Sequence, residues 1–480
     1  MSHAPRIAST GMLVAGSRRL SAATMPRDSS PTTAMDREHL VGDDGRSRQD
    51  IPASVGDAGS APHVLLITGE YPPTVGGVGD YTATLAAHLR AGGAHVGVLT
   101  GRGPGGAAEV GVARTVADWG PGSWGAVARA IREERPDVVH IQYQAGAFDG
   151  RGAITLLPWR LARRGPSAPP TVVTFHDLRA PYLFPKAGPL RPRALRLLAR
   201  GCAVTIATNG DDWAQLRGDP ALAMRLRLIP IGSNIPPLPA TGHTAARAAI
   251  RAALGLGPGT ILIAYFGLVS AGKGVATLLD ALGRARALGL TDYHLLLIGG
   301  EASVTDRATF ASGREGRREG GRDLAGALAA AGLAAHATVT GALPADAVAA
   351  HLAAVDLITL PFLDGASWRR GSLLAALASG VPTITTTPPP GHDARGQLPH
   401  LRDDAGVLLV PPDDAAALAA ALARLAGDAP LRARLATTGR ALADAFDWAT
   451  IARAHLNLYS ALGAASRQGR QGRQVGGGQR

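Results

Sequence analysis

Cysteine is all but absent from this 480-residue chain, with Cys202 the single one. One thiol makes neither an internal disulfide framework nor a cysteine-based zinc site. Aromatic residues make up 4% of the chain, too few for a stacking platform under single-stranded nucleic acid. No stretch approaches the roughly 18 uncharged apolar residues of a membrane-spanning helix. The first 35 residues lack the continuous apolar core of a signal peptide, because Arg18, Arg19 and Arg27 interrupt it. A cytoplasmic protein is therefore expected. Lysine is missing except at Lys186 and Lys273, so the formal charge of +12 is carried almost entirely by arginine. Those arginines are scattered through helices, an insertion and the tails, and no nucleic-acid motif organises them, so no nucleic-acid partner is expected. Asp-x-Asp is absent, which removes that cue for a metal chelated to a diphosphate, and no metal or cofactor is expected. His-Glu-x-x-His and Gly-x-Ser-x-Gly are absent too, which removes the common zincin and serine-hydrolase readings.

Hydrophobic residues reach 46%, enough for large cores, and the length fits two or three domains of roughly 100–200 residues each. Residues 1–61 are rich in Ser, Ala, Gly, Asp and Arg and read as a disordered leader. From His63 onward, short apolar runs alternate with helical stretches, the pattern of parallel sheets covered on both faces. Four prolines between Arg227 and Ala240 break that rhythm, and the alternation then restarts. The expected organisation is α/β, with two doubly wound Rossmann-like domains over 62–235 and 236–447. A C-terminal helix over 448–465 returns to the first domain, and a disordered tail covers 466–480. Residues 301–322 read as a Gly- and Arg-rich loop insertion.

In open α/β sheets, ligands bind beyond the carboxyl ends of the strands, so the loops there are where chemistry is sought. The first runs from Gly69 to Asp80, with Gly76 and Gly77 leading into a helix whose free N–H groups favour an anion. A dinucleotide fingerprint fits it poorly, since Thr82 stands where a third small residue is needed and no acid ends the next strand. The second places His176 at a strand end. The third puts Lys273 at a helix start, unfavourable for the helix dipole unless an anion sits there. It is not a Walker A loop. The fourth, Pro361 to Ser372, brings Arg369 and Arg370 to a helix opening with Gly371-Ser372, a strong anion-site combination.

These pieces, in this order, resemble the retaining glycosyltransferases of family 4, which have the GT-B fold. The resemblance covers about residues 63–463. It rests on Glu70-Tyr71-Pro72-Pro73 with Gly76-Gly77-Val78, Pro136 to His140, and Thr174-Phe175-His176-Asp177. Ile229 to Ile235, Phe266-Gly267 with Lys273-Gly274, Ile298-Gly299-Gly300, Thr340-Gly341, and Leu373 to Gly380 followed by Val381-Pro382-Thr383 complete it. It implies a nucleotide-sugar donor held mainly by the C-terminal domain and a glycan, lipid-linked or small-molecule acceptor received by the N-terminal one. Lys273 would contact the diphosphate, the Gly371-Ser372 helix start would donate N–H groups to it, His176 would face the sugar, and Gly76 and Gly77 would let backbone approach the donor sugar or acceptor.

The chain departs from the family where a Glu-x7-Glu pair is usual: Ser367 and Ala375 occupy those places, and Leu268 replaces an arginine. Arg369 or Arg370 would restore the missing cation, and Asp364 a sugar contact. A branch of the family has a segment similar to Asp364 to Ser372. His176 and Asp364 are therefore the expected catalytic residues, in a metal-independent transfer with retention assisted by the departing phosphate. A sugar-nucleotide epimerase and a non-catalytic nucleotide-sugar binder are the alternatives. Finally, Arg191, Arg193, Arg196 and Arg200 accompany leucines in one helix, near Trp159, Arg160, Arg163 and Arg164. That surface fits either a solvated arginine face or peripheral docking on anionic lipid.

Overall fold

A computed structural model describes residues 61–74, 76–101, 112–165, 168–178, 190–300 and 324–476. The expected leader (apart from Ala61) and the insertion at 301–322 lie outside the described residues.

The first sheet contains β1 (His63–Thr68), β2 (His95–Gly101), β3 (Val112–Val116), β4 (Val138–Tyr143), β5 (Thr171–Phe175), β6 (Val204–Ala207) and β7 (Leu226–Leu228). They lie in the order β3-β2-β1-β4-β5-β6-β7, all parallel. Helices α1 (Gly77–Ala91), α2 (Ser123–Glu134), α3 (Leu157–Ala162), α4 (Leu190–Gly201) and α5 (Gly210–Arg217) connect them. Strands such as Val138–Tyr143 are buried along their whole length, as a sheet covered on both faces requires.

The second sheet repeats the plan with β8 (Ile261–Phe266), β9 (Tyr293–Ile298), β10 (Ala337–Val339), β11 (Leu357–Leu360), β12 (Thr383–Thr386), β13 (Arg402–Asp403) and β14 (Gly406–Val410). Its order is β10-β9-β8-β11-β12-β14-β13. Around it lie α6 (Ala240–Ala253), α7 (Val275–Ala287), α8 (Leu324–Ala330), α9 (Ala345–Ala354), α10 (Gly371–Ala378), α11 (Ala415–Gly427) and α12 (Ala429–Ala443). Each sheet has separate apolar clusters on its two faces. Two seven-stranded, doubly wound parallel sheets are the GT-B architecture expected from the sequence.

The last helix, α13 (Trp448–Gly476), packs against α1 and β4 of the first sheet. Trp448 stacks on His88 with ring centroids 5.6 Å apart and donates its indole N–H to the Ser233 carbonyl at 2.6 Å. The helix continues ten residues past Ser466, where the sequence predicts the start of a disordered tail. Gln and Arg are good helix formers, and extending a helix already docked costs far less than nucleating one. Three strands also escape the sequence pattern. β3, β7 and β13 lie at sheet edges, and β7 and β13 are short and partly exposed, so no apolar run marks them.

In each sheet the strand order reverses once, between β1 and β4 and between β8 and β11. Such switch points open a crevice at the carboxyl ends of the strands.

Candidate functional site

At the switch point of the second sheet, two loops are stitched together. The turn after β8 carries Lys273, and the loop after β11 runs from Pro361 to Arg370. Leu363 N–H donates to the Gly272 carbonyl at 3.2 Å. Gly274 has φ +69°, and a Cβ there would collide with the Pro361 carbonyl, so only glycine permits this approach. The consequence is that Lys273 and Arg370 converge on one buried ring. Lys273 Nζ is 5.2 Å and Arg370 Cζ 4.7 Å from the centre of Phe362.

Arg369 and Arg370 have side chains only 8% and 15% exposed. Two adjacent guanidinium groups so withdrawn from water need an anion between them. Asp364 supplies one, 3.0 Å from Arg369 Nη2 and in closer contact with Arg370 Nη2. The Nε–H of Arg370 and the Oγ of Ser367 remain buried with no hydrogen-bond partner. Lys273 is held down to about 7, first by burial, then by the neighbouring Arg370, with Asp364 opposing and Arg369 adding a little. Helix α10 opens beside this cluster at exposed Gly371 and half-buried Ser372, with no side chain capping it. Lys273, Arg369, Arg370, Gly371 and Ser372 are thus gathered on neighbouring loops, with Asp364 as the arginines' counter-ion.

His176 lies in the first domain, directly after β5. Its Nε2 is 2.9 Å from Gln142 Oε1. An amide oxygen only accepts, so the neutral ring carries its proton on Nε2 and offers Nδ1 as an acceptor. Burial first, and then His455, lower His176 to about 3, so the ring is neutral at physiological pH. Behind it, His140 Nδ1 meets Tyr459 Oη at 2.6 Å and His140 Nε2 meets Thr174 Oγ1 at 2.7 Å. Tyr81 of α1 stands edge-on to His176, ring centroids 4.6 Å apart.

The Gly76–Gly77 loop behaves differently from the expected anion cradle. Glu70 Oε1 accepts from Val78 N–H at 3.0 Å and Gly79 N–H at 3.1 Å, so a carboxylate of the chain itself caps α1. Gly76 packs directly on that carboxylate, leaving no room for a Cβ, whereas Gly77 is exposed with nothing close.

The two domains meet at the cationic cluster. Asp211, in the first turn of α5, lies 3.6 Å from Arg369 Nη1. Its neighbour Asp212 is raised to about 6, chiefly by burial, with Asp177 raising and Asn209, Leu178 N–H and Arg369 lowering it. Among the described residues, His392, Asp393 and His400 have ligand-type atoms within 4.8 Å of one another. Local bonds account for this grouping: His392 Nε2 accepts Leu401 N–H at 3.1 Å, and His400 Nδ1 pairs with Asp393 at 3.0 Å.

Residues 76–232 match the family described as "Glycosyl transferase 4-like domain", and residues 260–428 match "Glycosyl transferases group 1". The chain is a glycosyltransferase of this type. Similar solved structures agree on the fold. A sucrose-phosphate synthase from Thermosynechococcus elongatus is 22% identical, with 84% of this chain and 100% of that one covered and a TM-score of 0.65. The Anabaena protein HepE in complex with UDP-glucose is 17% identical, with 83% and 100% covered and a TM-score of 0.61. A glycosyltransferase from Rickettsia africae is 14% identical, with 84% and 98% covered and a TM-score of 0.58. No curated protein sequence matches the chain.

Several residues of the candidate site have no role in the sequence reading: Gln142, Tyr81, Tyr459, Asp211, and Glu70 as a cap. One signal was available. His140 and Gln142 are polar residues two apart in an otherwise apolar, fully buried strand, so both point to one face. Gln142 is also the register partner of Thr174, two residues before His176.

Proposed function

We propose that this glycosyltransferase transfers a sugar from a nucleoside-diphosphate sugar to an acceptor with retention of configuration and without a catalytic metal. The observation that carries this reading is the gathering of Lys273, Arg369 and Arg370 beside the start of α10, at the crevice of the second sheet. Three cations and backbone N–H groups in a largely dry loop cluster suit a diphosphate, and they stabilise the charge that develops when it leaves. His176 faces the sugar as a neutral acceptor for a hydroxyl, aligned by Gln142. Exposed Gly77 lets the acceptor or donor sugar approach the backbone. No enzyme nucleophile is required if the departing phosphate takes the acceptor's proton and the acceptor enters on the same face. HepE, solved with UDP-glucose, is a relative in fold that binds such a donor.

The test is incubation with a panel of nucleotide sugars, with and without candidate acceptors, in the presence of a chelator. Acceptor-dependent release of nucleoside diphosphate, undiminished by the chelator and giving a product of retained configuration, is expected. An inverted anomeric centre overturns retention, and epimerised donor overturns transfer. Binding with no release favours the second reading, a non-catalytic binder. Its support is that Ser367 and wholly buried Ala375 stand where the family pattern has glutamates.

The acceptor side includes a surface fitted to anionic lipid on the cytoplasmic face. Leu156, Trp159 and Leu197 are exposed on and beside α3 and α4, among exposed Arg160, Arg163, Arg164, Arg193, Arg196 and Arg200. Among the described residues, no helix is long and apolar enough to cross a membrane. Sedimentation with phosphatidylglycerol vesicles is expected to carry the protein down, and neutral phosphatidylcholine vesicles are not. Equal, negligible binding to both removes the membrane from the reading.

A further inference from the structure

The acid in the cationic cluster is already paired within the chain. Asp364 lies on its two arginines, five and six residues ahead of them in sequence. The backbone is built to return it there. Gly365 has φ +83°, and a Cβ at that position would come within 2.7 Å of the Thr387 carbonyl. The arginines are almost buried while the Asp364 side chain is 36% exposed, so the acid can swing into solvent and the arginines cannot. Taken together, Asp364 and, from the first domain, Asp211 face Lys273, Arg369 and Arg370, and the buried Nε–H of Arg370 is still unpartnered.

We propose that Asp364 and the donor's diphosphate compete for the same two guanidinium groups, and that Asp364 reclaims them to help expel the nucleoside diphosphate after transfer. The inference rests on the donor-site reading above and adds a step to it. Its logic is one of charge. A nucleoside-diphosphate sugar carries two negative charges on its diphosphate. Breaking the glycosyl bond leaves a terminal phosphate whose second ionisation lies near pH 6, so the product carries close to three at neutral pH. Two nearly buried guanidinium groups, with half-buried Lys273 beside them, therefore hold the product more tightly than the substrate, and product release becomes the slow step. A tethered carboxylate competes with both anions, so it lowers the absolute affinity of the product and speeds its release. By returning to the arginines it satisfies them as the product departs. Arg369 and Arg370 then never face one another without an anion.

Calorimetry on the full chain tests this, with inorganic pyrophosphate and a panel of UDP, ADP and GDP as probes. Asp364→Asn keeps the size and the turn but removes the charge. Asp364→Ser is a second neutral variant, and thermal melts check that both are folded. The variants are expected to bind pyrophosphate and the preferred nucleoside diphosphate about tenfold more tightly than the parent, as removal of one charged competitor implies. They should release the nucleotide more slowly, with donor KM and kcat falling together. Equal or weaker binding by both folded variants overturns the inference and leaves the donor site standing. If neither parent nor variants bind pyrophosphate or any nucleoside diphosphate, the donor-site reading itself fails, and this inference with it.

Discussion

The two domains share one plan, yet the carboxyl ends of their sheets are opposite in electrical character. In the second domain the crevice holds Lys273, Arg369 and Arg370 against Asp364, with Asp211 of the first domain 3.6 Å from Arg369. In the first, buried neutral groups meet: His176, Gln142, His140, Thr174 and Tyr459 in one hydrogen-bonded set. His140 and His176 are both pushed down, mainly by burial, so neither is a cation at neutral pH. The backbone geometry is common to both, so the difference lies in a few side chains on the loops and strand ends. On the reading proposed above, it is a division of labour: one crevice grips charge and the other grips hydroxyls. Each prediction below strikes one side of the division and asks whether the other is left alone.

The largest effect is expected on the charged side. Losing a hydrogen bond to a charged partner costs about 1.5–3 kcal/mol, so removing both Lys273 and Arg370 (each to Ala) should weaken nucleoside-diphosphate binding by roughly 100-fold or more. The melting behaviour of the first domain should not change. Calorimetry and thermal melts check this, and intact binding would break the charged half of the comparison. On the neutral side, His176→Ala should leave nucleoside-diphosphate affinity unchanged while turnover falls by about 30-fold, as the loss of one transition-state hydrogen bond of about 2 kcal/mol implies. A parallel loss of diphosphate affinity would show that His176 belongs to the charged crevice after all.

A smaller effect separates architecture from chemistry. Tyr459→Phe deletes the hydroxyl that meets His140 at 2.6 Å, where both side chains are wholly buried. The stranded ring nitrogen should cost about 1–2 kcal/mol in a urea unfolding experiment. Diphosphate affinity should stay as it was, because α13 reaches the neutral network and not the cationic one.

How much of this could be read beforehand follows from the physics of each feature. The alternation of fully apolar strands and helices carries the two-sheet fold, because a sheet buried on both faces must be written as apolar runs such as His63–Thr68 and Tyr293–Ile298. Edge strands escaped, since β7 is neither fully buried nor long. Lys273 stood out because the chain otherwise writes arginine, and the Arg369-Arg370-Gly371-Ser372 run because a helix start beside two arginines suits an anion. Their mutual approach could not be read, as it depends on Gly274 admitting the Pro361 carbonyl from a strand some ninety residues away. Nor could the pairing of Asp364 with both arginines. At the Gly76 loop the helix start was legible, but not that Glu70 would fold back to cap it.

The finest discrimination between the two crevices comes from pH. Lys273 is lowered to about 7, first by burial and then by Arg370, whereas His176 is lowered to about 3. Between pH 6 and 8, therefore, Lys273 titrates and His176 does not, while Asp212, raised to about 6, titrates only at the lower end. A diphosphate beside Lys273 favours its ammonium form, so its value must rise on binding. At pH 6 the lysine is already charged and no proton moves. At pH 8 it is mostly neutral in the free protein, and binding must draw a proton from solution. By linkage, affinity should fall about fivefold from pH 7 to pH 8, with uptake approaching one proton. The donor sugar nucleotide is the right probe, because its diphosphate does not titrate in this range. Calorimetry in two buffers of different ionisation enthalpy measures the uptake directly. Lys273→Arg should abolish both the uptake and the pH dependence, since guanidinium stays charged throughout. A pH dependence that survives in that variant but disappears in His176→Ala would mean that the titrating group faces the sugar, and the assignment of charge to one crevice and neutrality to the other would be wrong.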